Sequence, residues 1–294
     1  PGTYGAESEY YQTLPEPYEA KNDVYDSIEE LLIVKGMTLD ILYGEDINCN
    51  GILDLNENDG DKSYPIDNSD GQLNRGWYPH ITAYSYEKNV DGSGEKRINI
   101  NTASKETLQD NFGNELSQEE IDAIVSVRDR EQFQSVGELL NKTVSGNSNN
   151  NNRNNNNQGS TTSVSISREK LKNVIDKMTV SDDEQLPGKL NLNTVSQETL
   201  QIFLGEENEK LVEQIMERRQ SGDGYFDSLG DVLDIEGITD SQFQQLIQST
   251  CTRSAVFSAH SAGYLERSKA YKEIYAVVDR GVDPPEIRYW KVLR

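Results

Sequence analysis

The chain has 294 residues, and 51 carboxylates against 28 Lys and Arg give a formal net charge of −23. That balance argues against general affinity for nucleic acid or for an anionic membrane, which both need cations to neutralise phosphate; it suits solubility and the binding of hard cations. Hydrophobic residues make up 34% of the chain, short of the roughly 45–50% of an ordinary globular domain, so long polar segments lie outside the core.

In chain order, residues 1–22 are polar with scattered tyrosines (Tyr4, Tyr10, Tyr11, Tyr18), Pro15 and Pro17. They sustain no period of 2 or 3.6 and read as an extended segment. Ser27 with Glu30 fits a capping box opening a helix whose buried face is Leu31, Leu32 and Val34. Gly36 stops that helix, and Thr38 caps a second, short one through Tyr43. Residues 44–76, rich in Asp, Asn and Gly, read as loop. Residues 77–87 carry the aromatic and β-branched side chains of a strand, and Ile98 and Ile100 alternate with polar residues as in a half-buried one.

The centre is duplicated. The phrase Ile98-Asn99-Ile100-Asn101-Thr102-Ala103-Ser104-Lys105-Glu106-Thr107-Leu108-Gln109 returns as Leu190-Asn191-Leu192-Asn193-Thr194-Val195-Ser196-Gln197-Glu198-Thr199-Leu200-Gln201. Each copy leads to a helical pattern, 120–128 and 210–219. Each then reaches a Phe-x-Ser turn (Phe133, Ser135; Phe226, Ser228) into a short helix. Self-similarity of this kind means one supersecondary unit used twice. An almost pure asparagine tract separates the first unit from its returning helix at 167–178, and 146–163 reads as a flexible insertion.

The last stretch reads as strands at 255–260, 271–280 and 286–293, with Gly263 in the first connection and Gly281, Pro284 and Pro285 in the second. With 77–87 this makes four strands flanking a helical middle, an α+β chain. The organisation is an extended segment at 1–22, the start of a sheet domain at 23–101, an inserted helical domain at 102–250 and closing strands at 251–294.

The sharpest chemical signal is the run from Asp46 to Glu57, which matches the twelve-residue EF-hand calcium loop. Asp46, Asn48 and Asn50 stand at positions 1, 3 and 5, Gly51 at the turn position 6, Ile52 at position 7 through its carbonyl, Asp54 at 9 and Glu57 at 12. Six carboxylates and no Lys or Arg lie between Glu45 and Asp61, so without a cation these charges repel. Asp59, Asp61, Asp67 and Asp70 follow and either complete this Ca2+ site or form a second one. Cys49 falls at position 4, pointing away from the ion; a Cys49–Cys251 disulfide is open. No nucleophile motif, phosphate-cradling glycine loop or zinc signature is present, and His260 reads as structural, so no enzyme is expected. No run reaches the roughly 18 apolar residues of a membrane span. The chain reads as a fragment or mature portion, with any membrane anchor upstream of Pro1.

The phrase from Asn99 to Ser104 opens helix-hairpin-helix modules of DNA-uptake proteins, which the two central units resemble. DNA-binding versions offer a Gly-hydrophobic-Gly hairpin to phosphate; here the hairpins are Asn111-Phe112-Gly113-Asn114-Glu115 and Leu204-Gly205-Glu206-Glu207-Asn208, with acids in that place. The order of Leu31 to Thr38, the acidic loop, Asn74-Arg75-Gly76-Trp77-Tyr78, the repeated phrase and the terminal strands resembles the minor pseudopilin K family of type II secretion (general secretion pathway protein K). The resemblance implies a pilin-like antiparallel sheet with a large inserted helical domain, and no enzymatic activity. It implies calcium binding, which falls on the loop residues named above. It also implies a place at the tip of a periplasmic pseudopilus, anchored in the inner membrane, beside minor pseudopilins of the I and J types and in contact with exported proteins. The competing readings are a helix-hairpin-helix DNA-uptake receptor and a calcium-dependent surface or adhesion protein.

Overall fold

The computed structural model describes residues 5–145, 161–221 and 224–293. It is an α+β chain whose contacts divide it into two compact units, Pro1–Ser85 with Val256–Arg294, and Tyr86–Ala255.

The first unit holds a three-stranded antiparallel sheet of Val256–Leu265, Ala270–Asp279 and Glu286–Val292, with Ala270–Asp279 in the middle. Alternation along the middle strand directs Val277 and Asp279 inward, both buried. On that face Tyr289 donates its hydroxyl to Glu29 at 2.9 Å and lies 6.0 Å from the Tyr84 ring. The other face carries the cross-strand rows Ala259–Ala276–Trp290 and Phe257–Val278–Ile287, and Phe257, Ile287 and Trp290 are exposed. A small core of Leu42, Tyr43 and Cys49, flanked by Leu31, Leu32, Met37 and Tyr78, holds the loop segments together.

Four expectations change here. Residues 77–87 are not a strand of this sheet: Pro79 stands inside a short 3-10 helix, Tyr78–His80, because its ring removes the N–H a ladder needs. Only Tyr86–Lys88 is extended, and it pairs with Gln185–Pro187 in the second unit. The segment after Ser27 is a 3-10 helix, Ile28–Ile33, without a capping box; the Glu30 carboxylate reaches back to the Asp26 N–H instead. Gly263 lies inside a strand, and the reversal falls at 266–269, where Lys269 takes a positive φ of 52°. Thr38 does cap Leu39–Tyr43, accepting from the Ile41 N–H. Of the insertion placed at 146–163, residues 146–160 lie outside the described residues, while Thr161–Val164 is a strand paired with Lys142–Ser145.

The second unit is the duplication made solid. In the first copy Ile98–Asn99 precedes the helices Lys105–Phe112 and Gln118–Arg128, then the 3-10 turn Val136–Leu140 and the helix Arg168–Val174. In the second, Leu190–Asn191 precedes Gln197–Leu204 and Glu209–Gln220, then Leu229–Asp234 and Asp240–Ser249. Each copy closes on its own opening: Met178–Thr179 pairs in parallel with Ile98–Asn99, and Thr250–Cys251 with Leu190–Asn191. Ser104 and Ser196 cap equivalent helices, each accepting from the N–H three residues on. Both copies feed one core that includes Phe112, Phe133, Phe226 and Phe243.

The last helix shows how much one cap contributes. The Thr239 hydroxyl accepts from Gln242 N–H at 3.2 Å, and Gln242 Oε1 accepts from Thr239 N–H at 3.0 Å. Thr239→Ala is expected to destabilise the protein by about 1 kcal/mol in urea denaturation. An unchanged midpoint would show that tertiary packing alone sets this helix start.

Candidate functional site

The acidic loop is closed at its base by backbone contact. Glu45 N–H donates to Asn74 O at 2.7 Å, the Glu45 carboxylate accepts from Asn74 N–H at 3.0 Å, and Trp77 N–H donates to Ile41 O at 3.0 Å. Two glycines permit this clasp. Gly44 and Gly76 have φ of +60° and +56°, and a Cβ on either would stand less than 3 Å from the facing backbone.

Inside the loop Asp46 is the hub. Its Oδ1 accepts from Asn50 N–H at 2.9 Å and its Oδ2 from Gly51 N–H at 3.0 Å. Gly51 turns the chain at φ +69°. Asn48 Oδ1 accepts from Asn50 N–H and Asn50 Oδ1 from Ile52 N–H. The amide nitrogens of Asn48 and Asn50 converge on Asp54 Oδ2 at 2.8 and 3.0 Å. Glu57 folds back to accept from Asp54 N–H at 3.0 Å in a capping box. The structure therefore gathers Asp46, Asn48, Asn50, Asp54 and Glu57 into one hydrogen-bonded turn, while the Ile52 side chain is exposed.

Glu45, Asp46 and Glu57 are buried. Burial pushes the Glu57 carboxyl above its ordinary pKa, against the lowering effect of the Asp54 N–H, and the charges of Asp46, Asp54 and Glu45 raise it further. Arg75 Nε lies 3.4 Å from Asp46 Oδ2. Arg75 lies beyond the cation-free span from Glu45 to Asp61, and the closed base brings it back from the far end of the loop. Among the described residues no group of three or more His, Cys, Asp or Glu is arranged to hold a metal ion.

The second acidic segment is built differently. Asp67 accepts backbone N–H bonds from Asp59, Gly60 and Ser69. Against the upward push of partial burial, these bonds hold its carboxyl below the usual range. Asp59 accepts from Ser63 N–H and Oγ–H, and Asp70 accepts from the Asn68 amide and from Gln72 N–H. Asp61 and Asp70 are exposed. Asp59, Asp67 and Asp70 thus hold a chain of tight turns whose bonds are separate from those around Asp46. Cys49 and Cys251 are free, buried thiols, which burial pushes up to about 11 and about 12.

Two models of one protein family match the chain, both described as Type II secretion system (T2SS), protein K, over residues 1–43 and 98–158. Together the two matches identify the type II secretion system protein K family. One match ends at the helix that opens the acidic loop, and the other begins on the first copy of the repeated phrase. No curated protein and no solved structure matches. Protein K is a structural, periplasmic pseudopilin component, so membership gives the chain a role in type II secretion and in contacts with other pseudopilus components. Among the described residues no helix is long and apolar enough to cross a membrane.

Proposed function

We propose that this protein K family member is a minor pseudopilin of the pseudopilus tip, and that its acidic loop is a calcium staple. The observation that carries the first part is the interruption of the sheet-bearing unit by an independently cored unit at 86–255. A filament grows by stacking subunits of similar cross-section, and a subunit carrying so large an insertion suits an end. The pilin-like reading is supported by the sheet's second face, where Phe257, Ile287 and Trp290 stand exposed in apolar rows suited to a packed helix. The paired helices of the second unit serve as a helix-hairpin-helix-like packing unit. Their second turn presents Glu206 and Glu207, which oppose phosphate.

The partners are the I- and J-type minor pseudopilins, with exported proteins as further contacts. Co-expressed with them, the protein is expected to co-purify in a stoichiometric complex, and gold label on it is expected at one end of each pseudopilus. Label spaced along the filament would overturn the tip assignment.

The loop residues fit Ca2+ chemically. Glu45, Asp46 and Glu57 are buried, with Arg75 beside Asp46, and the two amides aimed at Asp54 present oxygen in place of nitrogen after a half-turn about χ2. Asp46, Asn48, Asn50 and Asp54 would supply side-chain oxygens, Ile52 its carbonyl and Glu57 its carboxylate. When bound, the ion supplies charge neutralisation to the buried carboxylates.

A further inference from the structure

The second unit contains a cavity of about 170 Å³ whose wall draws on both repeats. Its apolar side includes Ile175, Met178 and Ile247, and its polar side includes Glu87, Arg97 and Lys189. Glu87 is only 2% exposed. Its Oε1 accepts from Arg97 Nη2 at 2.7 Å, while its Oε2 is buried without a hydrogen-bond partner. Arg97 is already committed, since its Nε donates to Asp176 O at 3.0 Å. The Asp176 carboxylate is satisfied elsewhere, by two bonds from Arg253 and one from Gly92 N–H.

Lys189 has no hydrogen bond or ion pair among the described residues. Burial pushes its ammonium below the ordinary lysine range, and the Glu87 charge opposes that shift. One cavity thus holds a buried acceptor without a donor and a cation without an anion, and the two do not bond to each other. An unpaired carboxylate oxygen costs stability unless something donates to it. Cavities of this size, on the order of 150 Å³, hold an organic molecule as large as benzene.

We propose that this cavity binds a small zwitterion, an α-amino acid with an aliphatic side chain. Its ammonium donates to Glu87 Oε2, its carboxylate accepts from Lys189 Nζ, and its side chain packs against Ile175, Met178 and Ile247. The site is independent of the secretion assignment, because its lining residues lie within Tyr86–Ala255 and the argument uses only their chemistry.

The test is calorimetry and thermal melting of the full chain with leucine, 4-methylpentanoate and isoamylamine; each of the last two lacks one charged end. Leucine at about 10 mM is expected to bind saturably and raise Tm by roughly 2–4 °C. The two singly charged analogues are expected to bind roughly tenfold or more weakly, having lost a charge-assisted hydrogen bond. Lys189→Met removes a side chain that bonds nothing in the fold, so it is expected to fold normally and lose the same factor for leucine. Glu87→Gln adds a second test at the ammonium end. Absence of saturable leucine binding would overturn the proposal and leave a cavity filled by water. Equal binding of all three compounds, or an unchanged Kd in Lys189→Met, would overturn the two-ended recognition.

Discussion

Millimolar calcium added to the chelator-treated protein is expected to raise its Tm by roughly 5–10 °C. The size follows from linkage. A ligand held at a hundred times its Kd stabilises the folded state by about 2.7 kcal/mol, and EF-hand loops of the sensor class bind with a Kd on the order of 10 µM. The turn around Asp46 is already assembled, because the N–H groups of Asn50 and Gly51 hold its carboxylate in place. Binding therefore costs two amide half-turns, the bonds that Asn48 and Asn50 Oδ1 accept from Asn50 and Ile52 N–H, and the displacement of Arg75, and not the ordering of the whole loop. Asp46→Asn and Glu57→Gln are each expected to abolish most of the shift. A loop that is structural on its own would show no calcium shift in the parent protein and a loss of stability in Asp46→Asn.

The same carboxylates give the effect a pH signature. In the cation-free protein the Glu57 pKa is raised above its unfolded value, mainly by burial. The folded state therefore holds this proton to higher pH than the unfolded chain does. Its stabilising contribution is complete below the unfolded pKa and is lost as pH rises through the folded one. Glu57→Gln without calcium is expected to remove that loss, because glutamine carries no charge and still offers an oxygen to the Asp54 N–H. Calcium inverts the dependence, since it favours the ionised form. Tm measured against pH with and without calcium should diverge as pH rises; parallel curves would count against Glu57 as a ligand.

The difference between what the sequence discloses and what it hides follows contact range. Helix starts depend on a hydroxyl and an N–H three residues apart, so Thr38 could be read directly. The duplication was visible because each copy repeats its own local wiring. The clasp between Gly44 and Gly76 was not, because the positive φ of each and the backbone that crowds it both follow from the contact across the loop. Arg75 was hidden in the same way, and so were the closing strands Met178–Thr179 and Thr250–Cys251, which are two residues long and defined by distant partners. The strand expected at 77–87 failed for a local reason. Its aromatic side chains suit a strand, but Pro79 inside the run counts against one.

The repeated asparagine of the central phrase has a role that only the structure assigns, and it leads to the second large effect. Asn193 Nδ2 donates to Phe226 O at 3.0 Å and Thr252 O at 2.9 Å, while its Oδ1 accepts from Phe226 N–H at 2.8 Å. Asn101 holds Phe133 in the same way, donating to Phe133 O and accepting from Phe133 N–H, each at 2.9 Å. Its third bond, to Val180 O, is stretched to 3.5 Å. Both phenylalanines are core residues, so each asparagine fastens the turn that delivers an aromatic ring to the interior. Asn193→Ala strands three backbone groups around Phe226 and is expected to cost about 2–4 kcal/mol. Asn101→Ala strands two well-bonded groups and is expected to cost about 1–3 kcal/mol. Asn193→Asp should be no better than alanine, because a carboxylate cannot donate to the two carbonyls and repels them. Urea denaturation reads these differences as shifts in midpoint at unchanged m-value. A neutral Asn193→Ala, or an Asn101→Ala costlier than it, would mean that packing of the rings alone sets these turns.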